Sequence, residues 1–276
     1  MKNSTIGFIG CGNMARSLIG GLIANGHPAA NICAADPDAG QRRRAGDQFR
    51  IEVFDNNRDV ITGADAVVLA VKPQVLPSVL RDEAKSLLQH RPLLISIAAG
   101  VRIATILQCL GEDLPVVRVM PNTPSLIQAG AAALYATESA SPEQRDQAEE
   151  ILRATGLALW LEDEALMDAV TAVSGSGPAY FFLVMEVMEK AAVKLGLPED
   201  TARLLTLETA FGAAKMALES DLHTDELRKQ VTSPGGTTEQ ALKVLMDKGG
   251  LEGLFEEAMA AAKRRSEELA EQLGDA

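Results

Sequence analysis

The sequence predicts a two-part α/β protein: an N-terminal Rossmann domain, doubly wound on a mostly parallel sheet, over residues 1–163, and an all-α domain over residues 164–276. Three observations predict it. Short apolar β-type runs alternate with helical patterns through the first part, as crossover-connected parallel strands require. A glycine turn of the dinucleotide-binding kind follows the first of those runs. From about Glu164 onward only helical periodicity is found.

The first run, residues 5–9, leads directly into Gly10-Cys11-Gly12-Asn13-Met14-Ala15, and a helical pattern with Leu18, Ile19, Leu22 and Ile23 on its apolar face follows. The spacing is G-x-G-x-x-A. Gly10 suits the tight turn, Gly12 lets a pyrophosphate reach the backbone, and Ala15 lets helix and strand pack closely. A second strand over residues 31–35 ends in Asp36, about where an acid meets the adenosine ribose. Asp36 favours a free 2′-hydroxyl, hence NAD. Arg42-Arg43-Arg44 on the next helix has two readings, a solvated basic face or a guanidinium reaching a 2′-phosphate, so NADH and NADPH both remain open.

Residues 66–71 form a continuous apolar run of the kind found in strands buried on both faces, ended by Lys72-Pro73 before a helix running to about Gln89. Residues 93–97 and 116–120 form two more, ending in Ala98-Ala99-Gly100 and in Pro121-Asn122-Thr123-Pro124. Ligands of doubly wound sheets lie outside the carboxyl ends of the strands. Small Ala98, Ala99 and Gly100 leave room there for a flat ring, and Lys72 and Asn122 are polar groups able to face it. Lys72 is equally readable as a surface cation beside a helix start. Short strands at 134–135 and 157–161 flank a helix over 142–155.

In the second part, Gly175-Ser176-Gly177-Pro178 opens a helix that is apolar nearly all round from Ala179 to Met188. About a hundred residues of helix cannot easily surround such an element, so a second protomer is expected to complete its burial as an intertwined homodimer. Helices over 198–219, 225–231 and 251–273 follow. Between the last two lies Val231-Thr232-Ser233-Pro234-Gly235-Gly236-Thr237-Thr238. Its glycine pair and the helix start just after it allow backbone N–H groups to hold a small carboxylate. The plainer reading ends one helix at Gly235 and Gly236 and caps the next with Thr237 or Thr238.

With 276 residues, 47% of them apolar, the chain is long enough for two domains with their own cores. Its net charge of -12 argues against nucleic-acid binding and against attraction to acidic membranes. Cys11, Cys33 and Cys109 are odd in number and lack metal-ligand spacing, which fits a reducing compartment and no metal site. Phe8-Ile9-Gly10-Cys11 imitates a lipoprotein signal, but the apolar run before Cys11 is too short. No apolar run approaches the roughly 18 residues of a membrane span. A soluble, cytoplasmic protein is expected.

None of the three histidines, His27, His90 and His223, lies beside the glycine loop or a strand end. Oxidising an alcohol calls for a base. A protonated imine instead carries its own proton and a full positive charge, so its reduction can proceed by positioning. The hydroxyl-rich loop suits that reaction.

On these motifs the chain resembles the pyrroline-5-carboxylate reductase family, bacterial type, over essentially its whole length. The resemblance rests on residues 7–14, on Ala70-Val71-Lys72-Pro73, on 119–124, on 174–180 and above all on 231–238. It implies reduction of (S)-1-pyrroline-5-carboxylate to L-proline by NADPH or NADH, the final step of proline biosynthesis. It also implies a helical dimerisation domain, an active site shared between protomers, and dimers that often assemble as a pentamer of dimers. Carried over by position, Gly10, Cys11, Gly12, Asn13, Met14, Asp36, Asn57, Val71, Lys72 and Ala99 contact the cofactor, and Ala70, Pro73 and Asn122 join them as candidates. Gly236, Thr237 and Thr238 hold the substrate carboxylate, with Ser233 and Gly235 completing the loop. The Thr238 hydroxyl bonds the ring nitrogen and is the catalytic candidate. Two departures stand out: many relatives carry a hydroxyl residue where Asp36 stands, and Gln230 replaces an asparagine that reaches the cofactor in some members.

Two rivals remain. A β-hydroxyacid dehydrogenase requires a helical lysine, for which Lys190, Lys194 and Lys215 are the candidates. A nucleotide-sensing protein on a Rossmann scaffold needs no second anion site.

Overall fold

The computed structural model describes residues 4–274. The outermost ends of the two expected domains, 1–3 and 275–276, lie outside the described residues.

Eight strands form one sheet. In chain order the first part runs β1 Ile6–Ile9, α1 Asn13–Ala24, β2 Ile32–Ala35, α2 Ala39–Phe49, β3 Glu52–Phe54, α3 Asn57–Gly63, β4 Ala66–Leu69 and α4 Leu76–His90. It continues with β5 Leu93–Ser96, α5 Ile103–Leu110, β6 Val116–Met120, β7 Gly130–Ala136, α6 Pro142–Arg153 and β8 Gly156–Trp160. The strand order is β3-β2-β1-β4-β5-β6-β7-β8, with every neighbouring pair parallel except β6 and β7. Ile6 stands opposite Ile32 on one side and Ala66 on the other, so the chain reverses its winding between β1 and β4. That switch point is where a doubly wound sheet opens a crevice for a ligand.

The continuous apolar runs of the sequence are explained by burial on both faces: every residue of β1, β4 and β5 is buried. One layer packs Phe8, Val68, Ile95 and Val119 against Leu18, Ile19 and Leu22 of α1 and Ile151 of α6. The other packs Ile9, Val67, Leu69 and Leu94 against Leu80 and Leu87 of α4 and Ile106 and Leu110 of α5. Gly21 lets α1 approach α6 closely, since a Cβ there would stand 2.3 Å from the Ala154 carbonyl oxygen.

Several boundaries differ from the sequence reading. The run over 66–71 ends as a strand at Leu69; Ala70 N–H still donates to Ile9 O at 2.8 Å, and the Ala70 carbonyl and Val71 lie against the glycine turn. Pro73 does not start a helix; Pro77 sits in the first turn of α4. β7 is seven residues long rather than two, its alanine-rich start carrying no β-branched signal. β3 and α3 were not foreseen, β3 being three residues with a charged first position.

The compact units divide elsewhere than at 163/164. Residues 4–176 with 262–274 form the first, and 177–261 the second. Helix α7, Met167–Val170, and a π-helical turn at Thr171–Gly175 belong to the first unit. So does the end of α12, Gly250–Gly274, whose Ser266 hydroxyl donates to buried Asp168 Oδ1 at 2.6 Å and whose Leu273 joins the second core layer. Amphipathic periodicity marks a helix but not the unit against which its end packs.

The second unit comprises α8 Gly177–Lys194, α9 Glu199–Glu219, α10 Thr224–Gln230, α11 Thr237–Met246 and the first half of α12. Pro178 lies in the first turn of α8, just after the π turn in which Ser176 N–H reaches back to Thr171 O at 2.8 Å. Among its described residues only Gly177, Ala202 and Thr206 are buried. Phe181 is 63% exposed, and Phe182, Leu183, Val187 and Phe211 are likewise open. The stretch Glu164–Lys194 is long enough to cross a membrane, and its most apolar 18 residues reach a mean hydropathy of 1.2, by length and composition only. Run length treats each polar residue as a break, whereas averaging absorbs Ser174, Ser176 and Glu186, so the two measures differ over this helix.

Candidate active site

The glycine turn is built as its spacing requires. Gly10 has φ +101°, and a Cβ there would stand 2.6 Å from the Ala70 carbonyl oxygen. Both the backbone conformation and the close approach of the chain after β4 demand glycine. Gly12 is the N-cap of α1, and a Cβ there would meet nothing within 4 Å. No side chain caps α1, so its first-turn N–H groups are not taken up by a capping oxygen. An uncapped helix start with bare backbone before it is an anion site of the pyrophosphate kind. Ala15 is fully buried against the sheet.

Asp36 meets this turn directly. Cys11 N–H donates to Asp36 Oδ2 at 2.8 Å, and Asp38 N–H donates to Asp36 Oδ1 at 2.9 Å. Burial, reinforced by the Asp36 charge, pushes the Cys11 thiol up to about 11, so it stays protonated and packs as a small apolar group. Arg42 Nη1 donates to the carbonyls of Asp36 at 2.7 Å and Pro37 at 3.0 Å, while Arg43 and Arg44 are exposed. Arg16, which the motif does not flag, donates to Cys11 O, to Gln41 Oε1 and to Asn13 Oδ1. It ties the start of α1 to α2.

The remaining cofactor candidates occupy strand ends of the first unit. Ala70 and Val71 line the glycine turn, the latter with Cγ1 at 3.3 Å from a Cβ built on Gly10. Lys72 is exposed, and its carbonyl accepts from Val75 and Leu76 N–H to start α4; Pro73 lies in that turn. Among the described residues no acid pairs with the Lys72 ammonium. Asn57 is the first residue of α3, and Ala99 is exposed after β5 beside Gly100. Asn122 turns its Oδ1 to the Ala131 N–H at 2.9 Å, so that oxygen fixes the start of β7.

The substrate candidates lie in the second unit. α10 ends at Gln230, and α11 begins at Thr237 with Gly236 as its N-cap. The plainer reading needed a threonine hydroxyl as the cap, but no side chain caps α11. The Thr237 and Thr238 N–H groups and the Thr238 hydroxyl make no hydrogen bond within the chain among the described residues. Gly235, at φ +75°, donates its N–H to Glu239 Oε2 at 3.0 Å, and Gly236 N–H donates to Ser233 O at 3.0 Å. The loop is therefore pinned from inside, leaving the first turn of α11 as its open donor set. The Glu239 contact was not foreseen, although a glutamate at the third helical position is a known partner for a donor just outside the helix.

The helical lysines a hydroxyacid dehydrogenase would need are on solvent faces. Lys190 pairs with Glu186 and Lys215 with Glu219, each one turn away on its own helix, and Lys194 is exposed. Among the described residues no group of three His, Cys, Asp or Glu side chains is placed to hold a metal ion.

A parallel sheet with a bare glycine turn at its switch point and an acid at the end of β2 defines a Rossmann-type dinucleotide-binding protein. Residues 5–100 accordingly match the family described as NADP oxidoreductase coenzyme F420-dependent, and residues 164–269 match pyrroline-5-carboxylate reductase dimerisation. A pyrroline-5-carboxylate reductase of Pseudomonas aeruginosa is 54% identical over 274 residues, which is 99% of this chain and all of that one. The Escherichia coli enzyme of that name is 38% identical over 96% of this chain and 97% of its own. A solved pyrroline-5-carboxylate reductase from Coxiella burnetii superposes with a TM-score of 0.92 at 45% identity, covering 97% of this chain and 98% of that one. The Plasmodium falciparum reductase, solved with NADP bound, gives 0.86 at 30% identity over 98% and 99%. The chain belongs to the pyrroline-5-carboxylate reductase family.

Proposed function

We infer that this chain reduces (S)-1-pyrroline-5-carboxylate to L-proline with NAD(P)H. The carrying observation is the end-to-end 54% identity to a reductase of that name. The bare glycine turn at Gly10 and Gly12 fits a dinucleotide, and the uncapped start of α11 fits a small carboxylate.

When bound, the nicotinamide supplies a hydride to the imine carbon; the C=N π pair becomes the nitrogen lone pair, and the proton already on nitrogen stays there. The chain's own residues position. Gly10, Cys11, Gly12, Asn13 and Met14 cradle the pyrophosphate, Asp36 meets the adenosine ribose, and Asn57, Ala70, Val71, Lys72, Pro73, Ala99 and Asn122 line the path toward the nicotinamide. The N–H groups at Thr237 and Thr238 hold the substrate carboxylate in the loop formed by Ser233, Gly235 and Gly236. The Thr238 hydroxyl is the catalytic contact, bonded to the ring nitrogen.

Residues 164–276 act as the dimerisation and substrate-binding part, with residues 1–163 as the dinucleotide-binding part. The open apolar surface of α8 and α9 supports a homodimer, since a helical unit with three buried residues has too little core to stand alone. Five such dimers form the working assembly. Its place is the cytoplasm, away from membrane, supported by three unpaired thiols and by a dimer that covers the 164–194 stretch.

The test is loss of 340 nm absorbance with pyrroline-5-carboxylate and each nucleotide in parallel. Absence of turnover from a folded dimer that binds nucleotide overturns the reading and favours a sensor; light scattering on the same sample reports the assembly.

A further inference from the structure

The Asp36 carboxylate is held from two loops at once. Cys11 N–H of the glycine turn donates to one oxygen at 2.8 Å, and Asp38 N–H of the loop after β2 donates to the other at 2.9 Å. Rotating the carboxylate away would leave both amides without their acceptor, so the charge is fixed in place. Among the described residues no cation forms an ion pair with it. The two arginines of this corner are engaged with neutral oxygens instead. Arg42 Nη1 bridges the carbonyls of Asp36 and Pro37, at 2.7 and 3.0 Å. Arg16 Nη1 bridges Cys11 O and Gln41 Oε1, at 3.1 and 2.6 Å, and its Nη2 holds Asn13 Oδ1 at 2.6 Å.

We propose that Asp36 is the specificity-determining residue of the nucleotide site and that it makes this chain select NADH over NADPH. The proposal rests on the dinucleotide-dependent reading above and names the cofactor that reading leaves open. Each Asp36 oxygen accepts one amide and keeps lone-pair capacity for a ribose hydroxyl, the partner an acid at this strand end normally takes. A 2′-phosphate offers no such donor and brings about -1.5 to -2 charges to a carboxylate that cannot turn aside. Arg42 already commits its Nη1 to the two carbonyls that shape the loop after β2, and makes no ion pair with Asp36 among the described residues. Arg43 and Arg44 are exposed, where a guanidinium is screened by solvent and salt. The basic run is thus weaker at this corner than its charge count suggests.

The experiment is calorimetric titration of the full-length protein with NAD+ and NADP+, without substrate, alongside kcat/KM for NADH and NADPH with pyrroline-5-carboxylate. The expected result is NAD+ bound at least tenfold more tightly than NADP+, with the ratio falling at least tenfold in Asp36→Ser. Asp36→Asn, which keeps an oxygen for one of the two amides, is expected to move the ratio in the same direction. A ratio within one variant is insensitive to its folded fraction, so a loosened glycine turn alone would weaken both nucleotides together. NADP+ bound as tightly as NAD+ by the unaltered chain, a ratio that neither variant moves, or binding of neither nucleotide overturns the proposal. Selective NAD+ binding without turnover of the imine would overturn the reductase reading and leave this one standing.

Discussion

Arg118, on β6 and 4% exposed, donates to Glu164 Oε1 at 2.8 Å, and the same oxygen accepts the Ile103 N–H at 2.9 Å. One carboxylate thus joins the middle of the sheet, the start of α5 and the segment before α7. Removing one partner of a buried pair leaves the other charge uncompensated, at a cost of about 3–5 kcal/mol. Glu164 is partly open, so Glu164→Ala is expected near the lower end, about 3 kcal/mol. Replacing both groups with apolar ones, Arg118→Met with Glu164→Leu, is expected to cost less than Glu164→Ala alone. Urea unfolding at one fixed protein concentration measures both, the concentration mattering because any self-association adds to apparent stability.

The two glycines of the fingerprint separate folding from binding. Gly10→Val forces a side chain into the Ala70 carbonyl at a positive φ and is expected to lower thermal stability and abolish nucleotide binding together. A Cβ at Gly12 meets no atom within 4 Å, so Gly12→Val is expected to leave the melting temperature within a few degrees while abolishing nucleotide binding. A Gly12 variant that binds nucleotide normally would show that the open space beside it is not the pyrophosphate site.

Burial sets the alkaline limit of stability. Cys11 and Cys33 thiols are both pushed up from 9.0 to about 11 by desolvation, with Asp36 adding at Cys11 and Glu52 at Cys33. Above pH 9 the unfolded chain releases thiol protons that the folded chain retains, so the unfolded state binds fewer protons and stability falls as pH rises toward 11. Below that window these thiols contribute no slope. Urea midpoints from pH 8 to 10.5 are expected to decline less steeply in Cys11→Ala than in the unaltered protein.

The exposed ring of Phe181 tests the proposed homodimer. An aspartate there places a charge where the apolar face of α8 needs a partner. Phe181→Asp is expected to shift sedimentation toward the monomer, lower the thermal midpoint and reduce imine turnover. A variant that stays dimeric would place the interface elsewhere.

The nucleotide half was legible because its strands are buried on both faces, so a continuous apolar run and a glycine spacing suffice to fix β1, β4, β5 and the turn after β1. β3 was missed because an edge strand of three residues, beginning with Glu52, carries no such run. The unit to which the end of α12 belongs was illegible for a different reason. Ser266 and Asp168 meet at 2.6 Å across 98 positions of sequence, and nothing local to either announces the other. At the candidate site, the glycine pair and the helix start could be read, but the internal hold on the loop could not. That hold depends on Glu239 folding back to the Gly235 amide, a rotamer rather than a pattern.

That distinction bears on the proposed catalytic contact. Glu239 and Ser233 fix the loop through Gly235 and Gly236, whereas the Thr238 hydroxyl makes no hydrogen bond among the described residues, so removing it should leave the loop in place. A hydrogen bond to a charged partner is worth about 1.5–3 kcal/mol, so Thr238→Ala is expected to lose about 10- to 100-fold in kcat/KM with circular dichroism unchanged. Thr238→Ser, which keeps the hydroxyl, should recover most of that loss. Glu239→Ala should behave differently, raising KM for the imine more than it lowers kcat, because it loosens the loop without touching the ring nitrogen. Unchanged kcat/KM in Thr238→Ala would remove its hydroxyl from the reaction and leave the first-turn amides of α11 as the whole of the substrate contact.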